Sequence, residues 1–152
     1  MNQSDSIANL TLALSTVQGK MSHAVKDSAN PFFKSKYADL ESVWSACREL
    51  LSANGLAVMQ FPGLYSDLDK SMSLTTIISH KSGEYISQEM SVPCGMLGRD
   101  GVLKLDAQAA GSAISYMRRY SLAAVVGVVQ SDDDGNAASN KINQPVVKAK
   151  EI

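Results

Sequence analysis

Two stretches set cations beside aromatic rings: Phe32-Phe33-Lys34-Ser35-Lys36-Tyr37 and Tyr116-Met117-Arg118-Arg119-Tyr120. Guanidinium groups grip phosphates bidentately. Ser112 and Ser115 precede Arg119 by seven and four residues, so a helix would set all three on one side. Small hydroxyl side chains leave room for a phosphate chain and can donate to it. Adjacent arginines are equally an ordinary solvated pair. In the first stretch, rings could stack on bases while ammonium groups follow phosphates. The competing reading packs Phe32 and Phe33 into the core or a subunit contact and leaves the lysines in water. Arg99 and Lys104 join the candidates on charge and position alone.

Other chemistries find little support. A phosphate-gripping Gly-x-x-x-x-Gly-Lys-Ser/Thr loop is missing, and the nearest stretch, Gly95 to Arg99, lacks the Lys-Ser/Thr. No Gly-x-Ser-x-Gly elbow occurs, and neither His23 nor His80 has a recognisable site context. Asp132-Asp133-Asp134 reads as a solvated acidic turn, because two-metal chemistry needs carboxylates converging from separate elements. Cys47 and Cys94 form no metal-like cluster with the histidines and read as reduced thiols of a cytoplasmic protein. No catalytic residue, metal or cofactor is expected, and the chain is not read as an enzyme.

The elements that must position the cationic stretches follow from composition and periodicity. The 152 residues are 45% hydrophobic, enough for one core. Net charge is -1, and residues 1–131 carry equal numbers of basic and acidic side chains. A polyanion would therefore have to meet a local concentration of charge. The polar start, Met1 to Asp5, lacks the features of a signal peptide, and no apolar run reaches membrane-spanning length.

Ser6 to about Ala24 reads as a helix, with Ile7, Leu10, Leu14 and Val17 forming its apolar stripe and Asp5 or Ser4 as cap. Pro31 to Tyr37 is a loop. Asp39 caps a second helix that Asn54-Gly55 ends. Trp44 lies on its apolar face. Leu56 to Phe61 is almost continuously apolar and reads as a buried strand. Ser71 to His80 and Tyr85 to Val92 alternate, so short links imply an antiparallel meander with one apolar and one polar face. Pro93 to Leu105 reads as a loop. A third helix runs from its cap Asp106 to about Val126; its Ala-, Gly- and Ser-rich first half should approach the sheet closely. The expectation is an α+β fold: an antiparallel three-stranded β-meander packed against a long helix, with N-terminal helices. The folded domain spans 1–131, and 132–152 form an acidic turn and a disordered tail.

Three signatures now stand together. Asn30 to Leu40 (NPFFKSKYADL), Gly111 to Gly127 (GSAISYMRRYSLAAVVG) and Asp134-Gly135-Asn136-Ala137-Ala138 resemble, in order and spacing, the motifs of the Erf (essential recombination function) family of phage single-strand annealing proteins. The resemblance covers about residues 20–138. It implies a β-β-β-α core, a homo-oligomeric ring or helical filament, and single-stranded DNA held in a groove with its bases exposed. It implies Lys34, Lys36, Tyr37, Arg118 and Arg119 as DNA contacts, with Tyr116 a weaker candidate. It further implies ATP-independent annealing in recombination within a bacterial host cytoplasm, with a single-strand-binding protein or an exonuclease as a partner. Arg119→Ala should weaken binding with little loss of folding stability. Two other classes stand beside this: a phage-encoded interaction module acting on host repair without annealing, and a metal-dependent nuclease using Asp132 to Asp134. Longer members of the family carry more chain after the acidic turn.

Overall fold

The computed structural model describes residues 1–21, 28–29, 36–37, 39–99, 101–104 and 106–129. Asn2–Gln3 form strand β1 and Ala8–Lys20 helix α1. Ser28–Ala29 (β2) pairs antiparallel with Lys36–Tyr37 (β3), the end of the stretch that reads as loop. Leu40–Ala53 is helix α2. Leu56–Pro62 (β4), Ser71–His80 (β5) and Tyr85–Pro93 (β6) form the meander. Met96–Leu97 (β7) and Leu103–Lys104 (β8) make a small ladder inside the glycine-containing loop, and Ala107–Val126 is helix α3. The class is α+β, as expected.

The expected three-stranded sheet has a fourth strand. Its order is β1-β6-β5-β4, antiparallel throughout. Asn2 pairs with Ser87 and Gln3 with Ile86, and the Ser4 N–H donates to the Tyr85 carbonyl at 3.0 Å. This pairing uses backbone groups of exposed polar residues. It therefore leaves no apolar period in the sequence to betray it.

A second correction concerns β4. Its apolar run reads as buried, yet β4 is an edge strand on which only alternate residues turn inward. Leu56 is buried and Val58 packs against the core, while Ala57, Met59 and Phe61 are exposed. Pro62 at its end needs no ladder donor, which suits an edge. On β5 the alternation holds: Met72, Leu74, Thr76 and Ile78 are buried on one face.

The helices cover that inner face. Asp39 caps α2 by accepting from the Ser42 N–H at 2.8 Å, and Gly55 follows it with φ +70°. Asp106 caps α3 by accepting from the Ala109 N–H at 2.7 Å. Gly127 ends α3 with φ +76°, a conformation that glycine adopts without penalty. Helix α1 departs from expectation at both ends. It stops at Lys20, after its last buried residue, Val17, where Gly19 weakens the helix further. Neither Ser4 nor Asp5 caps it; Glu84 does so from the β5–β6 turn.

Among the described residues two apolar clusters make the core. Leu10, Val17, Val43, Cys47, Leu51, Leu56, Ile78, Leu122 and Val126 join α1, α2, the sheet and the C-terminal half of α3. Trp44 is partly buried against this cluster. Met72, Leu74, Cys94, Ala113 and Met117 join the other end of the sheet to the N-terminal half of α3. The small residues of that half do not all serve close approach. Ala113 is buried, but Gly111 and Ser112 face solvent, and nothing lies within 4 Å of a Cβ placed at Gly111.

Candidate nucleic-acid interface

Helix α3 changes role along its length. In the first half Ala113 and Met117 meet the sheet, while Gln108, Gly111, Ser112 and Ser115 are exposed. Two turns later the continuation of that exposed stripe is buried, because Leu122 and Val126 enter the cluster shared with α2. Arg119 sits where solvent face becomes packed face. It is half-buried, and its Nε is closed off from solvent.

Arg118 and Arg119 therefore differ. The Arg118 side chain is exposed and, among the described residues, makes no ion pair. Its backbone is anchored: Gln60 of β4 donates from Nε2 to the Arg118 carbonyl at 2.9 Å and reaches Thr76 Oγ1 at 3.3 Å. Arg119 instead turns its guanidinium over the Tyr120 ring, 4.8 Å from the centroid. A cation in that position is attracted by the ring quadrupole and gives up mobility.

Tyr116 and Tyr120 lie one turn apart with their rings in tilted contact, centroids 4.3 Å apart and planes inclined by 41°. Both rings are exposed, 46% for Tyr116 and 37% for Tyr120. Arg118 stands two residues from each tyrosine, about 160° away round the helix. The arginine arm and the aromatic pair thus occupy opposite flanks of α3, separated by the small polar residues and Arg119.

The remaining sequence candidates are placed as follows. Arg99 is exposed in the turn between β7 and β8, and Lys104 is exposed on β8, immediately before the α3 cap. Lys36 and Tyr37 form β3, paired to Ala29 and Ser28. Lys34 and Asp132 to Asp134 lie outside the described residues, as does the proposed tail. The structure gathers Tyr116, Arg118 and Arg119 on one helix, and Arg99 and Lys104 on the hairpin leading into it. Sequence reasoning set Tyr120 in the second cationic stretch without giving it a role, and missed Gln60. The i, i+4 spacing of the tyrosines was a usable signal; the Gln60 bond, made across 58 positions to a backbone oxygen, left none.

Among the described residues no three His, Cys, Asp or Glu side chains are grouped to hold a metal ion. Nor, among the described residues, is any helix long and apolar enough to cross a membrane. A family model described as the ERF superfamily matches residues 10–151. Comparison with curated proteins finds no match.

Proposed function

The chain belongs to the ERF superfamily, and from that premise we propose that it binds single-stranded DNA and anneals complementary strands in recombination, without ATP and as a homo-oligomer. The observation that carries this reading is the exposed half of α3. It offers Arg118 to solvent on one flank, serine hydroxyls along the crest and an exposed aromatic pair on the other flank, the side-chain chemistry that an unpaired strand calls for.

One protomer offers little net charge, since the chain carries -1 overall. Repetition around an assembly supplies what one copy lacks: each additional cationic face engages the same strand at high effective concentration. Phosphates are held by Arg118, with Arg99 and Lys104 at the mouth of the helix and Lys34, Lys36 and Tyr37 from the first motif. Watson–Crick edges stay outward. A complementary strand then pairs, and stacking of the new duplex supplies the free energy. Counterion release makes the affinity fall steeply with salt. The working compartment is the bacterial host cytoplasm, and a single-strand-binding protein or an exonuclease that makes the substrate is the natural partner.

The test is annealing of complementary oligonucleotides in buffer without nucleotide, with particle size measured with and without DNA. Acceleration over the protein-free rate, by a species several protomers in size, is expected. A monomer that does not retain unpaired oligonucleotides even at low salt would remove the proposal.

A further inference from the structure

Resting on that reading, we infer that the Tyr116–Tyr120 pair is a base-stacking platform, so that an unpaired strand crosses α3 with a phosphate on the Arg118 flank and a base on the opposite, tyrosine flank. Exposed rings are common singly, but these two are mutually ordered. Tyr120 contacts both the Tyr116 ring at 4.3 Å and the Arg119 guanidinium at 4.8 Å. Arg119 is itself held, half-buried with its Nε closed off from solvent. The arrangement fixes the orientation of Tyr116, the more exposed ring, before any ligand arrives. A base landing on a preset ring costs less ordering than one landing on a mobile side chain.

The chemistry of the flank selects a nucleobase over a phosphate. Phenol rings offer π-faces, and the neighbouring guanidinium is already turned onto Tyr120. The stripe between the flanks is Gln108, Ser112 and Ser115, small or neutral residues that let a chain pass over the helix. A helix with its side chains is about 10 Å across, a distance one or two nucleotides span. Stacking occupies the face of a base and leaves its Watson–Crick edge unobstructed, which is compatible with annealing. Tyr116 is then a binding residue, and Tyr120 and Arg119 are positioning residues acting through it.

The experiment compares the full chain's affinity for an oligothymidylate with that for a strand of the same length and phosphates in which the bases are replaced by abasic spacers. Wild type is expected to prefer the base-bearing strand by on the order of tenfold. Tyr116→Ala should remove the preference by lowering oligothymidylate affinity to the abasic level, and Tyr116→Phe should retain it. Tyr120→Ala should reduce the preference. Arg118→Ala should weaken both strands alike. Equal wild-type affinity for the two strands, or an undiminished preference in Tyr116→Ala, overturns the stacking platform and leaves single-strand binding standing. Wild type binding neither strand overturns the underlying reading as well.

Discussion

The carboxylate of Glu84 accepts the Leu10 backbone N–H at 2.7 Å, across 74 positions of chain. The same carboxylate takes Asn9 Nδ2 at 2.9 Å and Ser6 Oγ at 3.1 Å. Glu84 lies in the β5–β6 turn, and Tyr85 beside it pairs with Ser4. One turn thus satisfies the orphan donors at the start of α1 and clamps the N-terminal strand to the sheet.

Those hydrogen bonds, the Leu10 N–H first, hold the Glu84 carboxyl below its ordinary value of 4.5. A carboxylate with a depressed folded value contributes stability that is complete above the unfolded value and is lost as pH falls through the folded one. Denaturation midpoints measured from pH 7 downward should therefore decline below about 4.5 in wild type. Glu84→Gln should start lower at pH 7 and decline less in acid. Parallel pH profiles for the two proteins would contradict the capping role.

Arg118 and Arg119 should separate in a paired mutagenesis. Arg118→Ala removes an exposed arm, so thermal stability should hold while single-strand affinity drops about tenfold and the salt slope shrinks by about one. Arg119→Ala also loses the contact with Tyr120 and should cost roughly 1 kcal/mol of stability. Sequence alone gives Arg119→Ala weaker binding with little loss of folding stability; the half-buried side chain and its Tyr120 contact lead us to predict this additional cost. Urea melts beside filter binding check both.

Cys47 is fully buried on α2, and burial pushes its thiol up from 9.0 to about 11. Cys94 is buried too. Neither thiol should react with an aromatic disulfide reagent at pH 8 in the native protein, and both should react after denaturation, since the thiolate is the nucleophile. The raised value also means that the thiol's contribution to stability is whole below about 9 and is lost as pH rises toward 11. A native protein whose Cys47 titrates rapidly would refute the placement of α2.

Tyr65, between β4 and β5, packs against the Met72–Leu74 cluster with its hydroxyl buried and, among the described residues, without a hydrogen-bond partner. Tyr65→Phe keeps the ring and removes the unsatisfied group. It should raise stability by about 1 kcal/mol, read as a higher denaturation midpoint at unchanged slope. A destabilised variant would show that the hydroxyl has a partner in solution.

How much of this was legible beforehand depends on the kind of signal. The caps Asp39 and Asp106, the stops at Gly55 and Gly127, and the buried face of β5 are local, and local chemistry writes them into the sequence. The motifs around Arg118 and Arg119 likewise carried the family, whose model matches residues 10–151. Other features belong to no window of sequence. That β4 is an edge, that Asn2–Gln3 add a strand, and that Glu84 rather than Ser4 or Asp5 caps α1 depend on which distant segments become neighbours. The division of α3 has the same origin. Periodicity set Ser112, Ser115 and Arg119 on one side, but only the arrival of α2 against Leu122 and Val126 made Arg119 a half-buried support and left Arg118 the exposed arm. A repeat of 3.6 residues fixes the direction in which a side chain leaves its helix; what it meets there is decided by the rest of the chain.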